Sequence, residues 1–300
     1  MSTDTGALAG IRFDRPTAVG AAGVVGLLAL SALAATAGLW KVLVISWVAF
    51  VAMGGAAVLG ARSAESTPAR LVWGYGLASG AMVTSAAVFL VPQAIGFDGP
   101  VGGFGVAAGV VGGYSGHTVG HRLSHREAFD SAPAQLAAHS LSAGAIIGLV
   151  YAALPELGLL LGLAIVSHKG PAGYAAARRL RDTGESPSVI LLPAAGVGLT
   201  AIPAALLQPP STPAVNAAIF GFAAGVFLHV AMDFLPECEV GGEVSEAASI
   251  EADAHAVLDR MRVHAVASTA AGGAAVFLAW LAVGLDAGGL AHLAAHLALR

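Results

Sequence analysis

Two short segments carry the polar groups best suited to chemistry. One reads His139-Ser140-Leu141-Ser142-Ala143-Gly144, the other His168-Lys169-Gly170-Pro171-Ala172-Gly173, and each lies in an otherwise apolar arm. A short turn around Leu154-Pro155-Glu156-Leu157 joins the arms into a helical hairpin, Ala138 to Leu180. Neutral imidazole ligates zinc, iron, nickel and copper. Ionisable side chains inside apolar spans are costly and mark functional sites by default. On a helix His139 shares a face with Ser142 and Ala143, and His168 with Pro171 and Ala172. Two imidazoles with the hydroxyls of Ser140 and Ser142 as weak oxygen donors would make a transient metal site. The competing reading is that each His is a satisfied polar residue bridging helices. Pro171 frees a backbone carbonyl about one turn earlier, and irregular backbone at membrane depth is tolerated where it lines a cavity. Lys169 is expected to turn away from such a path, toward a carbonyl or water.

Two further groupings stand beside the hairpin. Gly105, Gly109 and Gly113 are followed at the same spacing by His117, His121 and His125, with Gly112, Gly116 and Gly120 as a neighbouring row. The glycines predict a face on which another helix packs closely. His229, Asp233 and Glu237 recur one turn apart on a second stretch. His117, His121, His229 and Asp233 are expected at similar depth, as an inner metal site.

The elements that position these groups follow from composition. Of 300 residues 57% are hydrophobic and only 11% charged, with 40 glycines, whereas soluble domains run to about 25% charged. A membrane span needs about 20 mostly apolar residues. Nine stretches qualify: 17–39, 42–60, 71–92, 100–121, 134–154, 157–179, 188–207, 214–236 and 263–285. The fold class expected is an all-α polytopic membrane bundle of nine helices. Basic residues gather in cytoplasmic loops. With the N-terminus inside, the inner segments hold Arg12, Arg15, Arg62, Arg70, Arg122, Arg126, Arg178, Arg179, Arg181, Arg260 and Arg262, and the outer segments only Lys41 and Arg300. A multi-pass cell-membrane protein with its C-terminus outside is therefore expected. The inner loop 237–262 is acidic, and the tail 286–300 carries His292 and His296 one turn apart. The single Cys238 excludes an internal disulfide, and the few scattered basic residues give no footprint for nucleic acid.

Ser79-Gly80-Ala81-Met82 with Phe89-Leu90-Val91-Pro92-Gln93 matches Ala223-Ala224-Gly225-Val226 with Asp233-Phe234-Leu235-Pro236-Glu237 without a gap. In the topology above these two spans run in opposite directions, and inverted repeats are a transporter feature. The hairpin resembles the fourth and fifth core helices of the ZIP family of divalent-metal transporters, which read approximately His-Asn-x-Pro-Glu-Gly and His-Lys-x-Pro-Glu-Gly. Residues 221–237 resemble the family's seventh core helix and residues 71–92 its second. The resemblance covers 42–285 and implies a ZIP-like eight-helix core, with 1–41 as a tail and an extra N-terminal helix. It implies transport of a divalent metal, zinc foremost with Fe2+ or Mn2+ as alternatives, toward the cytoplasm, with His139 and His168 as ligands. The departures are specific. Ala143 and Ala172 stand where the family has metal-binding glutamates, Ser140 replaces the motif Asn, Ser142 replaces a Pro, Phe89 replaces a His and Gln93 a Glu.

The partners expected are the dication and the lipid bilayer; a homodimer stays open. No organic cofactor and no enzymatic activity are expected. Two other classes stay open: a non-transporting ZIP-like metal sensor or scaffold, and a haem protein using a pair among His139, His168, His229 and His264. No His-Glu-x-x-His or Gly-x-x-x-x-Gly-Lys-Ser/Thr segment is present.

Overall fold

The computed structural model describes residues 15–62, 68–124, 131–155, 159–166, 168–182, 184, 186–207, 209–210, 212–236, 238 and 254–284. Among these residues the chain is all helical. The helices are α1 (Arg15–Thr36), α2 (Trp40–Arg62), α3 (Pro68–Ser85), α4 (Val91–Phe97), α5 (Gly99–Ser124), α6 (Ser131–Ala153), α7 (Leu159–Val166), α8 (Lys169–Asp182), α9 (Leu191–Ala205), α10 (Pro213–Asp233) and α11 (Ala254–Gly284). Most of the acidic loop, residue His125 and the tail 286–300 with its His292 and His296 lie outside the described residues.

Local chemistry explains several boundaries. Thr212 caps α10 by accepting the Val215 N–H at 3.3 Å, and Pro213 fills the first helical position, where a missing N–H costs nothing. The Asp98 carboxylate accepts the Val101 N–H at 3.1 Å and starts α5. Gly38 takes φ 73° in the turn from α1 to α2, a conformation open to glycine without strain.

Among the described residues seven helical stretches are long and apolar enough to cross a membrane: Thr17–Thr36, Trp40–Arg62, Pro68–Phe97, Leu136–Ala153, Pro187–Ala205, Pro213–Asp233 and Ala256–Ala282. Two of the nine expected stretches differ. The 100–121 stretch forms a 26-residue helix, α5, but its many glycines lower its hydropathy. Within the 157–179 stretch the described residues form two helices, α7 of 8 residues and α8 of 14, with His168 in a turn just before α8. The expected end at Pro92 is also passed. A π-helical turn, Ala86–Leu90, widens the helix just before Pro92, and α4 continues to Phe97. α11 begins nine residues before the expected span at 263, inside the loop read as acidic. Its first turns bury Val257, Leu258 and Met261 against Val72 and Cys238.

The helices pack in parallel pairs through glycine. α5 lies on α10, where a Cβ at Gly105, Gly109 or Gly113 would meet Gly221, Phe222 and Gly225, or His229. The glycine row therefore marks a close helix contact, as its spacing predicts. α3 lies on α11 through Gly76, Gly80 and Gly272, α6 on α9 through Gly144 and Gly148, and α2 on α8 through Gly60 and Gly173. In each pair the contacts advance in the same direction along both helices. The pairs sort into two groups: α3, α4, α5, α10 and α11 form one, and α1, α2, α6, α8 and α9 the other. Exchanging the first three core segments (α2, α3–α4, α5) with the last three (α9, α10, α11) turns the α3–α11 pair into α10–α5. The same exchange, taken with α6 for α8, turns α2–α8 into α9–α6. This is the pattern an inverted repeat produces.

Two measurements follow. Gly109→Leu should cost about 1–3 kcal/mol by overpacking, whereas Gly103→Leu, where a Cβ meets nothing within 4 Å, should leave the melting curve of purified protein nearly unmoved. Burial pushes the Cys238 thiol up, with Arg262 opposing, and the residue is only 5% exposed. Maleimide should therefore label Cys238 slowly in the native protein and fast in denaturing detergent.

Candidate metal centre

α6 and α8 position the two histidine segments without packing on each other. α6 is held by α9 and α8 by α2. Gly144 packs on Val197 of α9, and Gly173, its counterpart in the second segment, on Met53 of α2. Val197 and Met53 are themselves related by the same sequence offset that relates Ala223 to Ser79. The arms meet through side chains. His139 Nε2 stands 3.2 Å from His168 Nε2, with the ring centroids 5.4 Å apart. Lys169 Nζ donates to Ser140 Oγ at 3.1 Å. First position meets first and second meets second, as arms related by a local two-fold axis would. Near the far end of the hairpin the Gly162 N–H donates to the Tyr151 hydroxyl at 3.2 Å.

Ser140, His168 and Lys169 are buried, and His139 is partly so. His168 sits at the break before α8, so its ring approaches from a non-helical residue while its carbonyl accepts the Ala172 N–H at 3.1 Å. Phe234, at the end of α10, packs edge-on against the His168 ring at 5.6 Å and against Tyr75 at 5.8 Å. The histidine pair thus lies where α6 and α8, from one helix group, meet α10 and α3 from the other.

Two bound nitrogens, each about 2.0–2.1 Å from a tetrahedral zinc, stand about 3.3 Å apart. The observed separation suits that arrangement. It suits equally a hydrogen bond from the N–H of one neutral ring to the bare nitrogen of the other.

The other candidates take distinct places. Ser142 is exposed and donates to the Ala138 carbonyl of its own helix at 2.8 Å, whereas Ser140 is buried and reaches the opposite arm through Lys169. Ala143 and Ala172 are buried, each one turn from its histidine. Lys169 does not reach water; it is 1% exposed and crosses to the opposite arm. The sequence contained a signal for this, because Ser140 and Lys169 hold the same position in their two segments.

His229 Nε2 is 3.3 Å from Asp233 Oδ2, and its ring meets Tyr114 edge-on at 6.3 Å. His117 and His121 lie on the last turns of α5, and their side chains fall outside the described residues. Because Gly113 meets His229 and the helices run parallel, residue 117 comes level with Asp233. His264 accepts from Trp73 Nε1 at 3.1 Å on the α3–α11 seam. Among the described residues no three His, Cys, Asp or Glu side chains come together as a metal cluster.

Ser140→Ala removes the acceptor of the buried Lys169 amine and should lower stability by about 1–3 kcal/mol. Ser142→Ala should stay within about 0.5 kcal/mol; detergent-unfolding midpoints of the two variants test the contrast. No protein-family model matches the chain, and no curated protein matches it.

Proposed function

We propose that the chain is a ZIP-like membrane transporter that moves a divalent transition metal, zinc foremost, toward the cytoplasm. The observation that carries this reading is the facing pair of imidazole nitrogens, 3.2 Å apart, at a helix break between two helix groups. Transporter sites recur at broken helices on the interface of inverted repeats, and alternating access is then a rocking of one group against the other. Neutral imidazole is a ligand type for zinc. The resemblance of residues 42–285 to the ZIP family supplies the substrate class.

Nine crossings are part of the proposal. A parallel α6–α9 pair needs α7–α8 to cross between them, and a parallel α3–α11 pair needs α5 to cross as well. Lys41 Nζ donates to the Pro155 carbonyl at 2.8 Å and Arg181 donates to the Ala61 carbonyl at 3.4 Å. These bonds join segments assigned to the same side, outer for the first and inner for the second. The basic residues then favour a cytoplasmic N-terminus and an external C-terminus. His229 and Asp233, with His117 and His121 level with or beyond them, form the inner stop on the path.

One observation favours a second reading, a ZIP-like sensor or scaffold without flux. Lys169 is buried beside the ligands, and its charge opposes a dication. Haem is disfavoured at His139 and His168, whose nitrogens stand too close to straddle a porphyrin plane.

Proteoliposome uptake of Zn2+, Fe2+ and Mn2+ separates these readings. Wild type should accumulate at least one dication, and His139→Ala/His168→Ala should lower uptake tenfold or more. Asp233→Ala and His229→Ala should slow uptake several-fold. No flux for any dication, with equilibrium metal binding retained, would establish the sensor or scaffold.

A further inference from the structure

Four rings stand in a row across the seam between the two helix groups. Tyr75 of α3 meets Phe234 at the end of α10, with centroids 5.8 Å apart and planes at 64°. Phe234 meets the His168 ring at 5.6 Å and 66°. His168 meets His139 of α6 at 5.4 Å and 61°. Each contact is edge-to-face, an arrangement that the aromatic quadrupole favours. The row begins in the group of α3 and α10 and ends in the other group, at the two imidazoles.

The two halves of the row are held differently. On the α10 side, Ser79 Oγ donates to the Ala231 carbonyl at 2.7 Å in a buried bond. That carbonyl belongs to the last turn of α10, where carbonyls lack partners within the helix. Ser79 lies one turn from Tyr75 on the same face of α3. One helix face therefore fixes both the last turn of α10 and the ring of Phe234. Phe234 is the residue just after α10, and its N–H donates to the Val230 carbonyl at 3.1 Å. On the other side, the buried His168 stands in a turn rather than in a helix. A turn residue escapes the side-chain restrictions that a helix imposes, so contacts to the ring weigh more in deciding where its Nε2 points.

We propose that Phe234 is a positioning residue for His168. It holds the imidazole with Nε2 toward His139, 3.2 Å away, and it links that orientation to the place of α10 beside α8. Phe234 acts through His168 and touches no ion itself. When the two groups move apart, the His168 ring loses this edge contact and turns, and the pair loses the separation that suits a shared ion. Movement of one helix group is thereby converted into release. Holding is a property of the metal-free protein; release rests on the transport reading of the pair.

The test compares Phe234→Leu, which keeps apolar bulk without a ring, with Phe234→Tyr, which keeps the ring. Phe222→Leu is the control, on the same helix but packed toward Gly112 of α5. An edge contact of this kind is worth about two- to tenfold in an equilibrium. The first arm uses metal-free, full-length protein in lipid bilayers with isotope-labelled histidine. Solid-state NMR should show a direct cross-peak between the two Nε2 atoms, assigned by its loss in His168→Gln. The cross-peak should persist in Phe234→Tyr and Phe222→Leu and fall at least threefold in Phe234→Leu. Its absence from wild type, or equal intensity in Phe234→Leu, would overturn the proposal. The second arm measures Zn2+ uptake by proteoliposomes. Phe234→Leu should raise KM several-fold with the maximal rate changed less than twofold, and Phe234→Tyr should restore the wild-type KM. A lower maximal rate at unchanged KM, the signature of lost folded protein, overturns the release role. If wild type moves no dication, the transport reading and the release role fail together, while the metal-free cross-peak still decides the holding role.

Discussion

The structure depends on how closely two helix backbones can approach. Apolar side chains gain little from leaving lipid for protein, so helices in a bilayer are held by packing and by small residues that admit a neighbour. Here each of the four major helix pairs has glycines at the line of contact, where an added Cβ would meet backbone of the partner. These seams fix α6 on α9 and α8 on α2. That leaves the two histidine segments facing one another across a gap bridged by side chains alone. A looser seam at Gly144 or Gly173 would change the 3.2 Å separation directly.

The site is therefore made by scaffolding rather than by a hairpin. Its arms touch at matching positions, His139 with His168 and Ser140 with Lys169. The two helix groups supply different parts. One brings the imidazoles, the lysine and the hydroxyl. The other brings Phe234 against the His168 ring. A relative movement of the groups alters the second set of contacts while leaving the first intact.

Much of this was legible in the residues. Hydropathy finds the apolar helices, and the Gly105, Gly109 and Gly113 spacing identifies a close-packed face before its partner is known. The break at His168 was only half legible: Pro171 signals a lost hydrogen bond but not where the chain leaves the helix. The π turn before Pro92 left no pattern, because it depends on how α3 accommodates the ring. Ser142 was misread for a geometric reason. Positions 140 and 142 lie on different sides of α6, and the i, i+3 rule favours 142 until α9 packs against Gly144 and turns position 140 inward. Lys169 was misread because its partner lies on the other arm, where helix periodicity says nothing.

The pairing also sets the order in which the protein can be assembled. α3 has its main partner in α11 and α5 in α10, while α6 must wait for α9 and α2 for α8. No helix in this scheme finds its principal neighbour in the next one to be synthesised. Each enters the bilayer with a glycine face uncovered and keeps it so until a distant segment arrives. Contacts of this sequence separation slow folding, and exposed intermediates are where misassembly begins. Truncation after α9 would thus strand α3 and α5 together, since both of their partners lie in the last part of the chain.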